Sequence, residues 1–102
     1  MIRHTLTFRL HRPVDENARE EFLSAVRDFG SEPPHALAPA VVREDLALRP
    51  EGRSSSEGLL EVTFADASAF RAYLADDRHI AFVEQVLAPQ ADWLSTQTEA
   101  GE

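Results

Sequence analysis

From Ile2 to Leu10 apolar and polar positions alternate. Ile2, His4, Leu6, Phe8 and Leu10 hold the even positions, and Arg3, Thr5, Thr7 and Arg9 the odd ones. That is the period of a strand with one apolar face, interrupted only by the His4 ring. After "HRPVD" the period changes. Asp15 is placed to cap a helix whose Phe22, Leu23, Val26 and Phe29 recur at helical spacing, with Gly30 at its end. "SEPPHALAP" carries three prolines and reads as a loop, and "AVVREDLALRP" follows as a second strand. "EGRSSSEG" is a polar turn, and "LLEVTF" alternates again with Leu60, Val62 and Phe64 on one side. Asp66 opens a helix through Phe70, Tyr73 and Leu74. A further helical stretch runs from about Arg78 to Leu87 through Ile80, Phe82, Val83 and Val86, with a break near "ADDR" and a stop at Pro89. "ADWLSTQT" is a last short strand, and "EAGE" is expected to fray.

The order is βαββαβ. With right-handed crossovers it predicts an α+β fold, a four-stranded antiparallel sheet with helices on one face in the split βαβ arrangement. Residues 1–98 are expected to form one domain and 99–102 a frayed tail. The sheet's other face would show Thr5, Thr7, Arg9, Leu59, Glu61 and Thr63, a mixed surface that a second copy would cover. Arg9 and Glu61 are a candidate ion pair on it, within one copy or across two.

Composition narrows the partners. A chain of 102 residues, 43% of them hydrophobic, buries one core. The formal net charge of −8, with Arg3, Arg9, Arg12, Arg19 and Arg27 spread rather than banded, argues against nucleic acid or an anionic membrane as partner. There is no cysteine, so no disulfide, thiolate nucleophile or cysteine-based metal centre is available. The alternating start "MIRHTLTF" resembles neither a signal peptide nor a membrane span, and a soluble, cytoplasmic protein is expected.

The candidate chemistry lies with His4, Tyr73 and His79. His4 would point between sheet and helices, into a layer lined by Leu6, Phe8, Phe22, Val26, Leu60, Val62 and Phe82. An apolar layer with few polar groups is the usual make-up of a small-molecule site. Tyr73 and His79 sit on the helical region that roofs it. A neutral imidazole there can take a proton, and a phenol can hold a developing oxyanion. The same residues also fit a core tyrosine with its hydroxyl at the rim, a histidine at a helix start and a half-wet strand histidine. Both accounts stay open at this level. His11 and His35 fall in loops and receive no role. No HxH or HExxH spacing supports a metal site, Asp76 and Asp77 suit a solvated capping turn, and Trp93 suits core or dimer packing. Neither a glycine-rich phosphate loop nor GxSxG is present, so covalent catalysis has no candidate.

The segments "MIRHTLTFRL" and "LLEVTFADASAFRAYLADDRHIAFVEQVLAP" resemble the stress-responsive dimeric α/β barrel (Dabb) family over nearly the whole chain. The resemblance implies a ferredoxin-like monomer whose sheet pairs with a second copy to form a dimeric barrel. It extends to the plant polyketide cyclases of the olivetolic acid cyclase type, which close a ring by aldol chemistry without a cofactor. On that resemblance His79 is the general base, Tyr73 its partner and oxyanion donor, and His4 an orienting or second proton-transfer group. Phe22, Leu23 and Val26 would lie at the pocket wall. The common "HPxH" form is replaced by Asp76, Asp77, Arg78 and His79, and a further histidine of the cyclases falls on Gly58.

Two functions from different classes follow. One is a cofactor-free cyclase or lyase-type proton-transfer enzyme on a polyketide-like or other enolisable substrate. It calls for an apolar cavity of about 300 Å³ or more with His79 and Tyr73 turned into it. The other is a non-catalytic stress-responsive dimer, in which side chains fill that space. A cofactor-free monooxygenase of the wider superfamily is a weaker third.

Overall fold

The computed structural model describes residues 1–46, 48 and 56–100. Its elements are β1 (Ile2–Leu10), α1 (Glu16–Ser31), β2 (Val41–Glu44), β3 (Gly58–Phe64), α2 (Ala67–Ala75), α3 (Asp77–Phe82), a π-helical turn (Val83–Leu87) and β4 (Ala91–Glu99). Sheet order is β2-β3-β1-β4, with every neighbouring pair antiparallel. This is the ferredoxin-like βαββαβ arrangement.

Capping chemistry sets the helix starts. The Ala18 N–H donates to Asp15 Oδ1 at 2.7 Å, and the Ala69 N–H to Asp66 Oδ1 at 2.9 Å. Each satisfies one of the orphan donors of a first turn. Gly30, expected as the terminator of α1, lies inside the helix. Its role is close approach: a Cβ there would meet Leu60 Cδ1 at 3.2 Å and Val42 Cγ2 at 3.3 Å, so the missing side chain lets α1 settle onto β2 and β3.

The even positions of β1 and β3 point toward the helices, as their alternation requires. Leu6, Phe8, Leu60, Val62 and Phe64 join Phe22, Leu23, Val26 and Tyr73 in one core cluster. The Phe8 and Phe22 rings meet edge-on at 5.2 Å.

Several expectations change. β2 has four residues rather than the run through "AVVREDLALRP", part of which lies outside the described residues. β4 has nine and runs on through Glu99, the first residue of the expected frayed tail. Ala100 is buried, its N–H donating to the Met1 carbonyl at 2.8 Å; Gly101 and Glu102 lie outside the described residues. Within the chain Glu61 pairs with Arg3 at 3.0 Å rather than with Arg9. The register explains this: Glu61 stands opposite Thr5, so Arg3 is its diagonal neighbour and Arg9 lies too far along β1.

One buried polar knot had no local signature in the sequence. The Glu57 carboxylate accepts the Leu10 N–H at 2.6 Å and the Arg12 guanidinium at 2.6 Å, while its own N–H donates to the Phe8 carbonyl at 2.8 Å. It ties the start of β3 to the end of β1.

Candidate active site

α2 ends at Asp76, whose N–H bonds back to the Tyr73 carbonyl at 3.1 Å. Asp76 is itself extended, and its Oδ1 accepts the Arg78 N–H at 2.8 Å to begin α3. The expected break at "ADDR" is therefore a paired cap. It turns the chain so that Tyr73, before it, and His79, after it, face the same space, with ring centroids 4.4 Å apart. His4, on β1 beneath them, lies 5.8 Å from Tyr73 and 5.2 Å from Phe70. The three candidates are brought together.

They line a cavity of about 250 Å³. Leu6 and the edge-strand residues Trp93 and Ser95 form its floor, and Leu74, Phe82, Val83 and Leu87 its roof and rim. Of the eight residues expected to wall a pocket, Leu6 and Phe82 do so. Phe8, Phe22, Leu23, Val26, Leu60 and Val62 are packed solid in the core beneath α1. The space opens instead over β1 and β4. The π-helical turn packs on β4, and β4's helix-facing positions opposite His4 and Leu6 are the polar Gln97 and Ser95. A larger groove of about 360 Å³, lined by Thr7, Arg9, Asp92 and Leu94 among others, contains none of the three candidates.

Burial tunes each group. It lowers the pKa of His4 to about 4, with the neighbouring His79 charge adding to the effect. It lowers that of His79 as well; the Leu74 carbonyl and the Asp76 carboxylate favour protonation but do not offset it. It raises that of the Tyr73 phenol. All three are therefore neutral near pH 7. The Gln97 Nε2 amide donates to His4 Nδ1 at 2.8 Å, which leaves the His4 proton on Nε2. Among the described residues His79 Nδ1 is the one buried side-chain nitrogen or oxygen that makes no hydrogen bond of ordinary geometry, although the Leu74 carbonyl is near enough to favour protonation of the ring. Leaving such an atom unpaired costs about 1–3 kcal/mol. Phe29, from α1, stacks on Phe82 at 4.2 Å and lies 6.4 Å from the His79 ring.

The sequence pattern missed Gln97, Ser95 and the cavity role of Trp93. Alternation along β4 would have put all three on one face. Only the β1–β4 register sets Gln97 beside His4. Leu74, expected in the apolar stripe of α2, is partly exposed at the rim. No three His, Asp or Glu side chains among the described residues are placed to hold a metal ion. No helix among them is long and apolar enough to cross a membrane.

The family model for the stress responsive A/B barrel domain matches residues 2–98. This chain is a Dabb protein. A Dabb family protein with a ferredoxin-like fold from Mesorhizobium loti is 20% identical and superposes with a TM-score of 0.78, over 99% of this chain and 97% of that one. A dimeric ferredoxin-like protein of unknown function from Thermobifida fusca is 22% identical with a TM-score of 0.77, over 97% and 90%. An antibiotic biosynthesis monooxygenase is 14% identical with a TM-score of 0.69, over the whole of both chains. At these identities the likeness is one of fold. No curated protein matches the chain. The resemblance placed a histidine of the cyclases on Gly58. In this Dabb domain Gly58 has φ +156°, and a Cβ would stand 2.2 Å from the Arg43 carbonyl oxygen. No side chain fits there without moving β2.

Proposed function

We propose that this Dabb protein is a cofactor-independent proton-transfer enzyme, of the cyclase or lyase type, acting on a polyketide-like or other enolisable carbonyl compound. The observation that carries the proposal is the His79 imidazole, 4.4 Å ring to ring from Tyr73, on the lining of an apolar cavity. A base held neutral by burial at such a site is ready to accept a proton.

In this scheme the C–H bond next to a substrate carbonyl breaks and its proton passes to His79. The electron pair moves onto the carbonyl oxygen, where the un-ionised Tyr73 hydroxyl donates a hydrogen bond to the enolate. The enolate carbon then attacks a second carbonyl of the same molecule, and the His79 imidazolium returns its proton to the resulting alkoxide. Protons balance without a co-reactant. His4, its Nδ1 occupied by Gln97, supplies an Nε2–H donor that orients the substrate. The cavity lining carries no Arg, Lys, Asp or Glu, which suits an uncharged ligand core.

The protein is further proposed to work as a cytoplasmic homodimer through its uncovered sheet face, where Leu94 stands exposed opposite Thr7 and Val41 opposite Glu61. Sedimentation of the purified chain tests this: a monomer at all concentrations removes the dimer.

A second reading has its own support. The cavity, about 250 Å³, is slightly smaller than the usual ligand site, as a non-catalytic dimer with an incompletely filled core would have. Deuterium incorporation next to the carbonyl of a polyketide-like thioester, followed by NMR, separates the two. An enzyme accelerates exchange, and His79→Ala lowers the rate by roughly 10²-fold or more. Tyr73→Phe lowers it through loss of the oxyanion donor. Exchange no faster than in buffer, with no ligand-induced change in cavity resonances, leaves the non-catalytic dimer.

A further inference from the structure

Asp76 stands where the "HPxH" form of the motif carries a histidine, and it does more than end one helix and begin the next. Its Oδ1 caps α3, the helix that carries His79, and its Oδ2 lies 3.3 Å from His35 Nε2 in the loop between α1 and β2. His35 holds a left-handed backbone with φ 63°, a conformation that side chains other than glycine adopt only sparingly. A second tie joins the same two segments, where Arg78 Nη2 donates to the Glu32 carbonyl at 2.5 Å. The loop after α1 is thus fastened twice to the helix break, once at the Asp76 carboxylate and once at Arg78.

We infer that Asp76, gripped by His35, is a positioning residue that sets the orientation and proton affinity of His79, so that the loop tunes the site from outside the cavity. This rests on the reading of His79 as the base. A carboxylate at this point favours the imidazolium that forms during proton transfer, against the burial that opposes it. His35 Nε2, 3.3 Å from Oδ2, draws on the same carboxylate and weakens its pull on His79. The other groups around His79 are accounted for. On β1, His4 is held neutral by burial, with a pKa of about 4, and Tyr73 presents a neutral phenol from α2. Phe29 from α1 is apolar, and the Arg78 side chain is turned to Glu32. Asp77 is its other charged neighbour in sequence.

The test is a histidine-resolved NMR titration of the wild type, Asp76→Asn, His35→Asn and the double variant. Asparagine caps a helix as well as aspartate and tolerates a positive φ, so both substitutions preserve the local structure while removing charge. The expected result has three parts. Asp76→Asn lowers the His79 midpoint further. His35→Asn raises it. His35→Asn has no effect once Asp76 is gone, since the coupling runs through Asp76. An unchanged His79 midpoint in a folded Asp76→Asn protein overturns the inference, and so does an equal His35 effect with and without Asp76. If His79 responds as expected while no carbonyl substrate exchanges, the proposed function fails and the positioning role stands.

Discussion

Acidifying the protein from pH 7 to pH 5 should cost it about 2 kcal/mol of stability through His4 alone. Burial holds the His4 pKa at about 4 in the folded state, against 6.5 for the free side chain. Between those values the unfolded chain binds a proton that the folded protein refuses. Stability is therefore fully present above pH 6.5 and falls as the pH drops toward 4. The whole difference of 2.5 units corresponds to about 3 kcal/mol, of which about 2 kcal/mol is lost by pH 5. His79, lowered by the same cause, adds in the same direction. Urea unfolding at fixed protein concentration measures the effect. With a slope of about 2 kcal/mol per molar urea, the midpoint should fall by about 1 M between pH 7 and pH 5. The control is His4→Gln, which removes the titration. It should be less stable at pH 7, having lost the Gln97 contact and the packing on Phe70, but its stability should depend less on pH. A His4→Gln protein with the same pH dependence as the wild type would refute the argument from burial.

Two further substitutions test the frame around the site. Gly58→His should destabilise the domain by about 2 kcal/mol or more, because its Cβ would overlap the Arg43 carbonyl at a positive φ; an unchanged thermal midpoint would mean that β2 yields readily. Glu57→Ala should cost about 3 kcal/mol, since it strands the buried Leu10 N–H and the Arg12 guanidinium together; denaturant unfolding reads this, and a loss under about 1 kcal/mol would count against the knot.

Much of this fold could be read from local pattern. The alternation in β1 and β3, the aspartates at positions 15 and 66 and the proline at 89 act over a few residues, and each sits where short-range physics puts it. The break between α2 and α3 was legible for the same reason, and in the structure it turns Tyr73 and His79 toward a common space. The pocket wall was not legible. Leu60 and Val62 share the alternation of Leu6, yet they are sealed in the core while Leu6 faces a cavity. Nothing in a strand's own period says which helix will lie over it.

The sequence by itself determined the order of elements, the apolar face of each strand and the three residue types that can move or hold a proton. The tertiary structure decided which half of the sheet is packed solid and which is open, that Gln97 rather than another side chain fixes the His4 tautomer, that Arg3 rather than Arg9 meets Glu61, and that position 58 admits only glycine. These are matters of register and of how closely two elements approach, set by contacts between residues tens of positions apart, and no window of neighbouring residues contains them.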